Sequence, residues 1–226
     1  MAKVAVILAG SGHQDGAEIR EAVLSMLYLD MHGAQVEFFA PDIEQSDVVD
    51  HYSGKPVEEK RNVLVEAARI ARGQIAPLSE LKPEAFDALV LPGGYGVAKN
   101  LSDLAFKGAD ATVLPEYKKA ITGFYAAGKP IGAICIAPAV LAAALSGVAK
   151  PKLTIGEDAG TAGVITSFGA THQNSASDEA VVDDASRIAS TSAYMRGDAR
   201  IADIAKGIES VIVAVLNMVK SVKAAA

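Results

Sequence analysis

A chain of 226 residues, 50% of them hydrophobic, holds enough apolar side chain for one sizeable α/β core, and no Ser/Pro-rich linker or charge block divides it. Its formal net charge of −6, without a Lys/Arg cluster, excludes a phosphate-tracking surface, so neither nucleic acid nor an anionic membrane is expected as a partner. The single cysteine excludes an internal disulfide and suits a reducing cytosol, so a cytoplasmic location is expected.

Residues 3–9 read as the first strand; the apolar stretch 4–9 is too short for a secretory signal and runs into Gly10-Ser11-Gly12. Residues 15–32 read as a helix, 35–40 as a second strand, and 58–72 as a helix with Val63, Leu64, Ala67, Ala68 and Ile70 on one face. The stretch 42–82 is long for one crossover and is expected to form a lid or a partner surface. Residues 88–91 make a third parallel strand, ending in Pro92-Gly93-Gly94-Tyr95-Gly96. Residues 131–149 carry no charge over 19 positions, but Gly132, Pro138 and Gly147 interrupt them. A buried strand followed by a helix from near Pro138 to Leu145 explains them better than a membrane span. Farther on, 152–156, 163–168, 181–182 and 188–192 read as short strands of an antiparallel extension, and 201–222 as a closing amphipathic helix. This alternation implies a mostly parallel sheet covered on both faces.

In such a sheet the loops that follow the strands emerge on one edge, and ligands bind there. Three loops are distinctive: residues 10–16, residues 93–100, and the corner at Cys135 between its strand and helix. A residue on that corner projects beyond the sheet while the next N–H groups point outward, which is the geometry of a nucleophile elbow, although Ala133 and Ala137 stand where glycines are usual. The helix start favours negative charge, so the thiol is expected to ionise more readily than a free one and the amides to stabilise an oxyanion. An inert, buried thiol is the competing reading. Gly93 and Gly94 either aim amides at a bound carbonyl or form an ordinary turn. His13 lies on the same edge, where it either approaches Cys135 or is a surface-loop residue. Asp15-x-x-Glu18 has capping-box spacing, which by itself accounts for Glu18. Asp15 occupies the last glycine position of a would-be dinucleotide loop, and His32, His51 and His172 have no metal-site spacing, so no cofactor and no metal are expected.

Taken together, Asp15-Gly16-Ala17-Glu18-Ile19, Arg61 through Ile70, Pro92 through Ser102, and Cys135-Ile136-Ala137-Pro138 resemble the ElbB family, named for enhancing lycopene biosynthesis, within the PfpI-type class I amidotransferase-like superfamily. The resemblance spans essentially the whole chain, including Leu153-Thr154-Ile155-Gly156 and Thr191-Ser192-Ala193-Tyr194-Met195. It implies a flavodoxin-like three-layer α/β sandwich with a mostly parallel central sheet, one amidotransferase-like domain over residues 1–226, a homodimer, and an acidic residue from the first helix beside the elbow sulfur. By motif match the cysteine is Cys135 and the acid Glu18. The implied activity is a cofactor-independent glyoxalase that turns glyoxal or methylglyoxal into the 2-hydroxy acid through a cysteine hemithioacetal. Cys135 is the expected nucleophile, Glu18 the general acid/base and Gly94 N–H the oxyanion donor, with Gly93, Ile136, Asn100 and His13 around a small 2-oxoaldehyde. Ile136 stands where many members of the superfamily have a histidine, which counts against peptidase or glutaminase chemistry. The alternative is a non-enzymatic redox-responsive or metabolite-binding protein linked to isoprenoid metabolism, with Cys135 oxidised as a signal.

Overall fold

The structure, a computed structural model, describes residues 1–225. In chain order the strands are β1 (Lys3–Ile7), β2 (Gln35–Ala40), β3 (Val49–Asp50), β4 (Lys55–Pro56), β5 (Ile75–Pro77), β6 (Ala88–Leu91), β7 (Ile131–Ile134), β8 (Lys152–Leu153), β9 (Thr171–His172), β10 (Val181–Asp183) and β11 (Ile188–Thr191). The helices are α1 (Ile19–Met31), α2 (Val63–Ile70), α3 (Tyr95–Lys99), α4 (Leu104–Lys107), α5 (Pro115–Ala126), α6 (Ala137–Leu145), α7 (Ala159–Ser167) and α8 (Ile201–Ala225).

Seven strands form one sheet in the order β10-β11-β7-β6-β1-β2-β5, with every pair parallel except β10 against β11. The pleat divides the strands between two cores. Val4, Val6, Ala88 and Val90 face α1, α2 and α8, whereas Ala5, Ile7, Leu89, Leu91 and Ile131 face α5 and α6. Three layers result, as the alternation implies. No helix among the described residues is long and apolar enough to cross a membrane.

Several elements differ from expectation. Residues 163–168 are not a strand but the end of α7, because Asp158 caps that helix by accepting Thr161 N–H at 2.7 Å. β11 joins the parallel sheet beside β7, so the antiparallel extension shrinks to β10. The helix expected over 15–32 starts at Ile19, and the one over 58–72 starts at Val63, where Asn62 accepts Val65 N–H at 3.0 Å. The long 42–82 stretch holds the β3–β4 hairpin, α2 and the edge strand β5.

Candidate active site

Between β7 and α6, Cys135 has φ = 60°, a left-handed conformation that costs an ordinary side chain energy. Its neighbours hold it there: Cys135 N–H donates to Thr191 O on β11 at 2.9 Å. The sulfur receives the N–H groups of Gly94 and Ile136, and the side chain is 7% exposed. The loops after β1 and β6 are joined by backbone bonds, Glu18 N–H to Gly93 O, Gly96 N–H to Gly16 O and Tyr95 N–H to His13 O, each 2.8–2.9 Å, and the Gly94 N–H to the sulfur ties them to the third, the Cys135 corner. Gly94 has φ = 102°, and a Cβ on it would strike the backbone of Gly16 and Glu18. Only glycine lets its N–H reach the sulfur.

The carboxyl against Cys135 belongs to Glu21, which corrects the placement expected for Glu18. Glu18 is the N-cap of α1, its Oε2 accepting Glu21 N–H at 2.6 Å, and it reaches the cavity wall from there. Capping directs the next turn inward, so Glu21 falls on the buried face with Ala22, Ser25 and Leu29. Its Oε2 accepts Gly93 N–H at 3.0 Å, its Oε1 accepts Tyr194 N–H at 3.2 Å, and it hydrogen-bonds the thiol. Burial, and after it the nearby charge of Glu18, pushes the Glu21 carboxyl up to about 8, against the pull of those two N–H groups. Burial also pushes the Cys135 thiol up, and an ionised Glu21 adds to the push, while Gly94 and Ile136 N–H oppose it. The eased ionisation expected from the helix start alone is therefore overridden by desolvation. Glu21 keeps its proton through neutral pH and stands beside the sulfur as a proton donor.

Cys135 opens on a cavity of about 980 Å³ whose wall includes His13, Glu18, Arg20, His51, Asp158 and Tyr194. Arg20 donates to Tyr194 Oη at 3.1 Å, which fixes the guanidinium on the rim. The hairpin carries His51 over the first loop. Val49 O lies 3.0 Å from Nδ1, and Nε2 lies 3.3 Å from Gln14 N and 3.7 Å from Asp15 Oδ1. Val49 O and Gln14 N–H select the tautomer with hydrogen on Nδ1, with Nε2 accepting. His13 meets the His51 ring edge-on at 5.1 Å, so His13 belongs to the cavity rather than to free surface.

Two residues expected around the substrate do other work. Asn100 is buried and its side chain ties three loops, donating to Ala9 O at 3.0 Å and Asp15 O at 2.8 Å and accepting Ser46 N–H at 2.9 Å. Gly93 directs its N–H at Glu21, not at a substrate oxygen; a Cβ there would strike Cys135 and Glu21. Ile136 contributes both its N–H to the sulfur and its side chain to the cavity wall. His172 accepts Ile155 N–H at 3.3 Å, and His32 pairs with Glu209 at 3.6 Å, both away from the cavity. Among the described residues no cluster of three or more His, Cys, Asp or Glu is placed to hold a metal.

Residues 2–198 match the family model described as DJ-1/PfpI family. The chain is 44% identical over 204 residues to the human glutamine amidotransferase-like class 1 domain-containing protein 3, mitochondrial, covering 86% of this chain and 75% of that one. It is 43% identical over 204 residues to the rat ES1 protein homolog, mitochondrial, covering 86% of this chain and 76% of that one. Among solved structures, an isoprenoid biosynthesis protein with amidotransferase-like domain from Ehrlichia chaffeensis is 49% identical and superposes with a TM-score of 0.91, over 96% of this chain and 99% of that one.

Proposed function

The chain belongs to the DJ-1/PfpI family, and from that premise we propose that it is a cofactor-independent glyoxalase acting on small 2-oxoaldehydes. The observation that carries the reading is the protonated Glu21 carboxyl beside the Cys135 sulfur, under two N–H groups and open to a large cavity. The sulfur adds to the aldehyde carbon of methylglyoxal, and the thiol proton passes to the new hydroxyl, giving a hemithioacetal. A base takes the hydrogen from that carbon, and a proton is returned to the neighbouring carbonyl carbon. One carbon is thereby oxidised to a thioester and the other reduced to an alcohol, with no external oxidant. Water then cleaves the thioester to lactate and free thiol. With a pKa of about 8, a minor fraction of Glu21 is ionised near neutral pH; that carboxylate is the base that takes the hydrogen, and once protonated it is the acid that returns a proton to the neighbouring carbon. Gly94 and Ile136 N–H, which bond the sulfur, are the proposed donors to the oxyanion formed on the carbon that the sulfur attacks.

Glutaminase chemistry is less well supported, since the titratable side chain bearing on the sulfur is a carboxyl and Ile136 follows the nucleophile. A reducing compartment suits the lone thiol, and the cytoplasm is the proposed location; the human and rat relatives are named as mitochondrial proteins. The name of the Ehrlichia relative favours a second reading, a metabolite-binding or redox-responsive role in isoprenoid metabolism through the same thiol. Methylglyoxal consumption by purified wild type, Cys135→Ser and Glu21→Gln separates the two. Turnover that is lost in both variants supports the glyoxalase. No turnover in wild type, with reversible oxidation of Cys135 by peroxide, supports the second reading.

A further inference from the structure

Hydrolysis of the thioester is the one step of the proposed reaction that Glu21 is not placed to serve. Glu21 is 0% exposed and does not reach the cavity wall, whereas water meets the sulfur from the cavity. A base that serves this water has to stand on the wall, and the carboxylates and histidines there are His13, Glu18, His51 and Asp158. Glu18 and Asp158 are engaged as helix caps, accepting Glu21 N–H at 2.6 Å and Thr161 N–H at 2.7 Å. His51 uses both ring nitrogens, Nδ1 donating to Val49 O and Nε2 accepting Gln14 N–H. The His13 ring has no hydrogen-bond partner among the described residues and rests edge-on against His51 at 5.1 Å.

We propose that His13 is the general base that activates water against the Cys135 thioester and that His51 positions it, an inference that rests on the glyoxalase reading for the identity of the acyl group. Loop geometry sets His13 beside the sulfur. Consecutive amides at the start of α3 hold the two, Gly94 N–H reaching the sulfur and Tyr95 N–H donating to His13 O at 2.8 Å. His51 is seated as closely, since a Cβ on Gly12 would lie 2.6 Å from its ring. In the step itself the His13 imidazole takes a proton from water while the water oxygen bonds to the acyl carbon. The tetrahedral centre then collapses. The carbon–sulfur bond breaks, the sulfur leaves with the electron pair, and the imidazolium returns the proton to it. Thioester and water become carboxylic acid and thiol, with no change in oxidation state.

The acetyl thioester that p-nitrophenyl acetate forms on the full chain tests this step without methylglyoxal. Intact-mass spectrometry follows the acetyl group, and release by hydroxylamine, with Cys135→Ser as the blank, assigns it to the thiol. In His13→Ala the acetyl group is expected to form at the wild-type rate and to last about a hundredfold longer. His51→Ala is expected to lengthen the lifetime roughly tenfold, and His51→Phe, which keeps a ring against His13, to recover most of that loss. Circular dichroism confirms the fold of each variant. Equal lifetimes in wild type and His13→Ala overturn the proposal and leave the glyoxalase standing. Lifetimes that differ as expected, in a protein that does not convert methylglyoxal, support His13 as the base for another acyl group and overturn the glyoxalase. A thiol that takes up no acetyl group overturns both.

Discussion

Cys135 and Glu21 make one titrating unit, since two negative charges cannot be held side by side in a site this dry. The sign of the resulting pH dependence follows from Glu21. Its folded pKa of about 8 lies above the ordinary value of 4.5, so the folded state binds that proton more tightly than the unfolded chain does. The corresponding stabilisation is complete below pH 4.5 and is lost as pH rises through 8. Thermal melts of wild type and Glu21→Gln are therefore expected to diverge with pH, wild type losing stability relative to the variant between pH 5 and 9. Parallel curves would show that Glu21 titrates normally. At Gly94, an added Cβ meets two backbone segments at positive φ, so Gly94→Ala is expected to cost about 3 kcal/mol or more and to slow iodoacetamide alkylation of Cys135 as the N–H is displaced. Denaturant titration and alkylation rates measure the two effects. The elbow cysteine was legible in the sequence because a strand, a corner and a Pro-initiated helix bracket it. The carboxyl beside it was not, because Asp15 and Glu18 have the spacing of a cap and draw attention to the wrong turn. A period-3.6 reading of Glu21, Ala22, Ser25 and Leu29 would have exposed a carboxylate on the buried stripe.

At the scale of elements, caps decide what the side chains can reach. Glu18 holds the first turn of α1, so Glu18→Ala is expected to lose about 1 kcal/mol of stability and to reduce turnover several-fold by loosening Glu21. Glu21→Gln is expected to reduce turnover far more at little cost in stability at neutral pH. Steady-state kinetics beside chemical denaturation distinguish the cap from the acid. Asn100 binds the loops after β1 and β6 to the 42–62 excursion, and Asn100→Ala leaves Ala9 O and Asp15 O without their donor. A loss of about 2–3 kcal/mol is expected by denaturant titration, with retention of the Cys135–Glu21 contact. The same logic explains which elements the sequence showed. β2 and β6 have the bounds expected of them, and α6 begins at Ala137, one residue before its proline. The segment with Val164, Ile165 and Thr166 has strand-like composition, but the cap at Asp158 outweighs β-propensity and makes it α7. Helix α5 was readable from Pro115 and the spacing of Tyr117, Ala120, Ile121 and Phe124, yet it lies outside the motifs that point to the site.

For the whole molecule, the parallel sheet brings three loops distant in sequence to one edge, and the β11–α8 connection closes the site by aiming Tyr194 N–H at Glu21. That last contact depends on a left-handed turn at Ala193, φ = 41°, which nothing in local composition signals. The cavity, at about 980 Å³, is far larger than methylglyoxal, and its wall mixes Arg20, Glu18, Asp158 and two histidines. On the proposed glyoxalase reading, selectivity for a three-carbon substrate comes from the reaction at Cys135 rather than from a close fit. The measurement that tests the account most directly is the conversion of methylglyoxal in D2O, followed by proton NMR, with Cys135→Ser and Glu21→Gln alongside wild type. A proton shuttle through Glu21 predicts lactate carrying solvent deuterium at C2, none from Cys135→Ser, and a rate lowered at least about a hundredfold in Glu21→Gln. Lactate that retains only substrate hydrogen at C2, or a rate unchanged in Glu21→Gln, would contradict it.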